Sequence, residues 1–156
     1  MTQLFLEQAL NGLQFGLMLF LLAAGLTLVF GIMDMINLAH GSLYMVGAYL
    51  AAAAVAASGS FIAGVLAAVV GTAVIGALLE VTVLRRLYTR DHLSQVLATF
   101  ALILIANEAV RMVWGDQPML LNPPDALSGP VEIAGFSYPA FRLLIIAVGA
   151  AVALLL

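Results

Sequence analysis

Residues 9–57 form an almost unbroken apolar run, and this run limits the chain to a fold that keeps it out of water. A helix needs about 20 apolar residues to cross the hydrocarbon core of a bilayer, so the run is too long for one crossing and suits two. Further apolar runs follow it. The sequence therefore predicts an all-α, polytopic transmembrane helical bundle with spans at about 9–32, 36–57, 61–84, 92–113 and 141–156.

The composition supports a membrane protein and excludes several classes of enzyme. Hydrophobic residues make up 65% of the chain and charged residues 8%, whereas a soluble domain carries about 25% charged residues. The chain has no lysine and no cysteine, which excludes a GxxxxGK phosphate-binding loop, disulfides and thiol chemistry. It also lacks HExxH and GxSxG motifs and a basic face. We expect no catalytic residue, metal or cofactor in this chain, and a lipid bilayer rather than nucleic acid as its partner.

The distribution of charge predicts how the chain is oriented. Residues 85–90, which we call the arginine loop, hold three of the five arginines, so the positive-inside rule places this loop in the cytoplasm. Residues 115–140 hold all five prolines and are acidic, which is typical of the outer side. Counting spans backwards places the N-terminus outside. If residues 34–57 are re-entrant rather than spanning, the N-terminus lies inside, and the sequence is compatible with both orientations.

The last apolar run is short for a membrane span. Residues 143–156 would form about 21 Å of helix, against a hydrocarbon core of about 30 Å. We expect the chain to be truncated inside its fifth span. Residues 1–156 would then be the N-terminal part of a single transmembrane domain.

A polar cluster interrupts the first long apolar run. With a turn predicted around residues 31–34, Asn37, His40, Gly41 and Tyr44 would share one face of the second helix. Such a face can line a translocation path or form a hinge. It can equally make hydrogen bonds between helices near a turn, each worth about 0.6 kcal/mol. Spacing alone favours this packing interpretation, although ionisable groups within a membrane strengthen the functional one.

Small residues recur at spacings that allow helices to approach closely. Gly12 and Gly16 lie four residues apart in the first span, and Ala67 and Gly71 do so in the third. Small side chains at this spacing bring neighbouring backbones together. We therefore predict helix packing at Gly12, Gly16 and Gly71.

Two further polar groups lie near span ends. Glu80 precedes the arginine loop, and we expect it to pair with Arg85 or Arg86. Asn107, Glu108 and Arg111 form a patch late in the fourth span, with Glu108 and Arg111 spaced for an intrahelical ion pair. An ion pair near the outer surface is the economical interpretation of this patch, and a substrate gate is the second interpretation.

Four stretches together resemble a known family of permeases. They are NGLQFG (residues 11–16), GLTLVFG (25–31), MINLAHGSLYMVG (35–47) and LYTRDHLSQVLAT (87–99). In combination they are similar to the branched-chain amino acid ABC transporter permeases, of the LivH type. The resemblance covers most of the chain, and its strongest part includes Asn37 and His40.

The resemblance implies a subunit of an importer in the bacterial inner membrane. Such a permease works with a second related permease, two cytoplasmic ATPase subunits that bind the ATP, and a periplasmic substrate-binding protein. Members of the family run to roughly twice this length. Related permeases carry urea or short amides, and the residues do not exclude these substrates. The residues are also compatible with a passive channel or ATP-independent carrier, and with a non-functional truncated fragment.

Overall fold

The computed structural model describes residues 2–133 and 136–156. Within these residues the main elements are α1 (Thr2–Met33), α2 (His40–Ser58), α3 (Phe61–Thr82), α4 (His92–Trp114), β1 (Pro130–Ile133), β2 (Phe136–Pro139) and α5 (Ala140–Leu155). The first four helices are long and apolar enough to cross a membrane, and α5 is a shorter apolar helix. The predicted all-α, polytopic membrane fold is confirmed.

Local signals in the sequence set most of the helix ends. Side-chain oxygens of Ser60 and Asp91 accept backbone hydrogen bonds at the starts of α3 and α4, which satisfies donors that a helix start leaves without partners. Gly59 ends α2 with φ 68°, and Gly115 ends α4 with φ 85°. Glycine suits both positions because it has no Cβ to clash at positive φ.

The largest difference from the expected spans is between α1 and α2. Helix α1 continues through Gly31 to Met33, and α2 begins only at His40. The turn expected around residues 31–34 therefore lies at residues 34–39. Residues 115–140, expected to be a loop, also contain the antiparallel pair β1–β2.

The chain divides into two compact units, which we describe separately. The terminal unit comprises Met1–Gly25 and Asn122–Leu156, and the central unit comprises Leu26–Leu121. In the terminal unit, α5 packs on α1 where a Cβ added to Gly149 would lie 3.4 Å from Leu17 Cβ. The terminal unit thus brings together the two ends of the sequence, whereas the central unit is one continuous stretch.

Antiparallel packing of α2 against α3 is the most extensive helix contact in the central unit. A Cβ added to Gly64 would lie 2.5 Å from Val55 Cγ2, and one added to Gly71 would lie 2.6 Å from Leu50 Cδ1. Real Cβ atoms do not approach other atoms so closely. Glycine at both positions is therefore what allows the two backbones to approach.

Other glycines differ in how closely they are packed. A Cβ at Gly47 of α2 would lie 2.8 Å from Thr72 Oγ1 of α3, so this glycine joins the same interface. A Cβ at Gly12 or Gly16 of α1 would meet nothing within 4 Å among the described residues. Helix packing at Gly12 and Gly16 stays a prediction.

We expect Gly64→Ala to destabilise the central unit by about 1–3 kcal/mol, the usual effect of overpacking. The new methyl group would also lie 3.1 Å from the backbone oxygen of Ala51, which cannot move aside as a side chain can. The matched control is Gly76→Ala, whose Cβ would lie 3.9 Å from Leu43 Cδ1. The stability of the control should be unchanged or higher by about 0.5–1 kcal/mol, because alanine favours helix over glycine.

The stability of both variants is measured by unfolding in mixed micelles of rising SDS content, followed by the fluorescence of the single tryptophan. Equal stability of the two variants would contradict the close approach at Gly64.

Candidate functional site

Residues 34–39, which we call the connector, leave the helical conformation between α1 and α2. Asp34 adopts φ 47°, and its backbone N–H donates to the Phe30 carbonyl oxygen at 2.9 Å. A left-handed conformation costs about 1–2 kcal/mol for most residues, and aspartate, asparagine and glycine tolerate it best. Asp34 therefore produces the sharp exit from α1.

Alternate residues of the connector are buried. Met35 is completely buried, and Asn37 and Ala39 are each 5% exposed. Asp34 and Leu38 lie on the exposed side. The connector is thus packed into the protein and is not a solvated surface loop.

Helix α4 packs against the connector through a buried threonine. Thr99 is completely buried, and its Oγ1 lies 2.8 Å from the Gln95 carbonyl oxygen and 3.5 Å from that of Ile36. A hydroxyl has one hydrogen to donate, and the shorter distance is the normal one for such a bond. We therefore assign the hydrogen bond to Gln95. The Ile36 contact shows how closely the connector approaches α4.

The same part of α4 also holds the arginine loop. Gln95 is 2% exposed, and its Nε2 donates to the Leu87 carbonyl oxygen at 3.2 Å and to that of Arg90 at 3.1 Å. Gln95 and Thr99 are adjacent on one face of α4. The arginine loop and the connector therefore lie at the same end of the central unit.

The connector is set back from that end of the unit. Thr99 lies about two turns, or 10 Å, after His92 at the start of α4. On α3, the contact between Gly76 and Leu43 marks the level of the first turn of α2, and α3 continues about 9 Å beyond it to Thr82. Helix α4 therefore extends about 10 Å past its contact with the connector, and α3 extends about 9 Å past the first turn of α2. If their ends lie at the membrane surface, the helix break lies within the membrane.

The four residues predicted to share a helical face do not all do so. Asn37 precedes α2, and its Oδ1 accepts from the backbone N–H of Ala39 at 3.1 Å while its carbonyl oxygen accepts from that of His40 at 3.3 Å. The predicted face is wrong for Asn37, because this residue shapes the connector instead. His40, Gly41 and Tyr44 do occupy the first two turns of α2. His40 is half-buried, whereas Gly41 and Tyr44 are exposed.

A cavity of about 260 Å³ lies between α2, α3 and α4, next to the end of the connector at Ala39. Its walls are almost entirely aliphatic, and Ser42 and Trp114 supply their polar groups. The Trp114 ring lies 5.4 Å from that of Tyr49. Such a space suits an aliphatic group better than a polar one, because an unpaired polar group loses its hydrogen bonds to water on burial.

The expected ion pair of Glu80 is replaced by a hydrogen bond. The hydroxyl of Tyr88 donates to Glu80 Oε1, and this bond links the end of α3 to the arginine loop. Partial burial and the hydrogen bond to Glu80 raise the pKa of Tyr88 to about 12. The prediction that Glu80 pairs with Arg85 or Arg86 is therefore wrong. The tyrosine hydroxyl reaches the carboxylate and stays protonated at neutral pH.

A second polar junction lies in the terminal unit and was missed at the sequence level. Asn11 Oδ1 accepts from the Tyr138 hydroxyl at 2.9 Å and from Arg142 Nη1 at 2.6 Å. Tyr138 is completely buried. The amide of Asn11 within an apolar run could have indicated a buried polar contact. Its partners could not be identified from the sequence, because they lie more than 120 positions away.

The patch late in α4 forms the expected ion pair and a second one. Arg111 Nη1 lies 3.9 Å from Glu108 Oε2, and Arg111 Nε lies 3.5 Å from Asp116 Oδ1. The side chains of Glu108 and Arg111 are 62% and 65% exposed. The patch is thus an exposed network in which Arg111 lies between two carboxylates.

The helices, the buried connector and the apolar cavity define a multi-pass helical membrane protein. The family described as the branched-chain amino acid transport system permease component matches residues 8–156. The chain belongs to this family.

Curated relatives match a shorter stretch. The protein named high-affinity branched-chain amino acid transport system permease protein BraD, from Pseudomonas aeruginosa, is 49% identical over 51 residues, which are 33% of this chain and 17% of BraD. The permease proteins named LivH from Escherichia coli K12 and Salmonella typhimurium are each 47% identical over 53 residues, 34% of this chain and 17% of LivH. The match thus covers less than a fifth of each relative. No solved structure matches the chain.

We expect Asp34→Val to destabilise the chain by about 1–2 kcal/mol, because a β-branched residue cannot adopt φ 47° without strain. Asp34→Asn is the matched control and should keep the parent stability, because asparagine tolerates this conformation. Asp34→Gly should be at least as stable as the parent. The same SDS titration measures all three. If Asp34→Val is as stable as the parent, the connector does not depend on this backbone conformation.

Proposed function

We propose that this chain is a membrane-spanning permease subunit of an ATP-driven importer for branched-chain or related amino acids. The observation that carries the proposal is the family match over residues 8–156. The relatives BraD and LivH, whose names describe high-affinity branched-chain amino acid transport, support the substrate class. The partners would be a second related permease, two cytoplasmic ATPase subunits that bind ATP, and a periplasmic substrate-binding protein.

The proposed location is the bacterial inner membrane, with the arginine loop in the cytoplasm. The positive-inside rule supports this orientation. Because Gln95 and Thr99 link the arginine loop and the connector to one end of α4, the connector would lie in the cytoplasmic half of the membrane. Helix α2 then spans from the connector towards the outer side. Its packing along α3 supports spanning over a re-entrant arrangement.

We infer that the connector acts as a hinge beside the substrate path. Non-helical backbone at membrane depth is tolerated only where it is buried in protein or lines a water-filled cavity. Broken helices of this kind form substrate sites in many transporters. The hinge would carry His40, Gly41 and Tyr44 at the start of α2, with Asn37 fixing where the helix begins. ATP-driven alternating access would reorient this segment.

The aliphatic cavity favours branched-chain substrates over urea or short amides. Urea would bring several hydrogen-bonding groups into a space whose polar groups come only from Ser42 and Trp114 among its lining residues. Leaving such groups unpaired costs about 1–3 kcal/mol each. An aliphatic side chain would lose no hydrogen bonds there.

We expect His40→Leu to lower leucine uptake by about tenfold at normal membrane abundance, if the imidazole provides one charge-assisted hydrogen bond along the path. Uptake of labelled leucine into membrane vesicles that contain this chain and its partners measures the effect. The matched control is Ser58→Ala at the far end of α2, where the hydroxyl donates to the Ala54 carbonyl oxygen and accepts from the backbone N–H of Ser60. The control should transport like the parent.

Two results would contradict parts of this proposal. If His40→Leu takes up leucine at the same rate as the parent chain, His40 has only a packing role. Uptake that persists after the ATPase subunits are removed would contradict ATP-driven import and favour a passive channel or carrier.

A further inference from the structure

One exposed face of α4 changes from apolar to charged side chains along the helix. Leu97 and Leu104 are 60% and 55% exposed on this face. Asn107, Glu108 and Arg111 continue it towards the end of the helix, and they are also exposed. The face lies opposite the buried side of α4 that packs on the connector. It is therefore apolar over its first half and charged over its last turns.

The charged part lies within the expected thickness of the membrane. Helix α4 has 23 residues and is about 35 Å long, against a hydrocarbon core of about 30 Å. Glu108 lies about 9 Å before the end of the helix at Trp114. A charge facing lipid at the centre of a span costs about 2.5–3.5 kcal/mol, and exposed charges face water-filled cavities or other protein instead. A lipid environment thus does not suit this part of α4.

The ion pairs of Arg111 with Glu108 and with Asp116 are both longer than a charge-assisted hydrogen bond. Charge-assisted hydrogen bonds between nitrogen and oxygen are about 2.7–2.9 Å long. The two ion-pair contacts of Arg111 within the described part of the chain are 3.5 and 3.9 Å. A guanidinium has five N–H donors, so Arg111 can take up a carboxylate at normal distance. Glu108, one turn away, can accept from an ammonium group.

We propose that Asn107, Glu108 and Arg111 form a water-exposed site for the charged head group of an α-amino acid. Arg111 binds the α-carboxylate, Glu108 binds the α-ammonium, and the Asn107 amide lies beside them. An amino acid carries these two charged groups on one carbon atom, which matches an arginine and a glutamate one helical turn apart. This site rests on the proposed function and gives the permease an outer contact for its substrate, separate from the connector.

The test uses the absence of cysteine from the chain. A single cysteine is introduced by Asn107→Cys, and the charged, membrane-impermeant thiol reagent MTSES is added from the outer side. Thiols react as thiolates, which form in water and not in lipid. The matched control is Leu97→Cys, about three turns earlier on the same face. We expect Asn107→Cys to react at least about tenfold faster than the control, and saturating leucine to slow this reaction about tenfold or more.

The role of the charges is tested in the same assay. Adding Glu108→Gln to Asn107→Cys should raise the leucine concentration needed for half-protection about tenfold, because one charge-assisted contact is lost. The leucine analogue 4-methylpentanoate, which lacks the ammonium group, should protect the parent Asn107→Cys chain poorly. It should lose little further protection when Glu108 is replaced.

Three outcomes would overturn the site. They are a reaction at Asn107→Cys as slow as at Leu97→Cys, a fast reaction that leucine does not slow, and protection that Glu108→Gln leaves unchanged. Uptake is measured in the same vesicles with the partner subunits present. Normal ATP-driven uptake without leucine protection refutes only this site. No uptake by the parent chain would instead contradict the proposed function.

Discussion

A hydrocarbon environment requires backbone N–H and C=O groups to find partners within the protein, and the connector is where this requirement is hardest to meet. Local bonds satisfy part of it: Asn37 accepts from the backbone N–H groups of Ala39 and His40, and the N–H of Asp34 donates to the Phe30 carbonyl oxygen. Met35 is completely buried within the protein. A break in a membrane helix is thus stabilised by a few short-range contacts.

The rest of the central unit holds this break at a defined depth. Glycines along the interface between α2 and α3 let the two helices approach closely, so α2 has a fixed level relative to α3. Helix α4 also fixes the position of the connector, because Thr99 contacts the connector and Gln95 bonds to the arginine loop. A segment held this way can change position only if several of these contacts change together.

Apolar periodicity and length were enough to predict the membrane fold, and the motifs of residues 35–47 indicated the family. These patterns could not show that Asn37 lies outside a helix, because residues 34–39 would be similarly apolar in a helix and in a buried connector. The connector packs against Thr99, more than 60 positions later, and such a long-range contact is not visible in the local sequence. Glu80 shows the same limit: charge predicted an arginine partner, and the fold brought Tyr88 within reach instead. A Cβ added to Gly71 would meet Leu50, whereas one added to Gly12 would meet nothing within 4 Å among the described residues, although both glycines have the same spacing signal.

Labelling of two adjacent positions tests directly whether the connector is buried and lies on the proposed cytoplasmic side of a membrane-spanning helix pair. Asp34→Cys and Met35→Cys are compared in the cysteine-free chain with an impermeant thiol reagent, in inside-out and in right-side-out vesicles. The exposed position 34 should react only in inside-out vesicles, and the buried position 35 should react in neither. Equal reaction of both positions, or reaction of Asp34→Cys only from the outer side, would contradict the account.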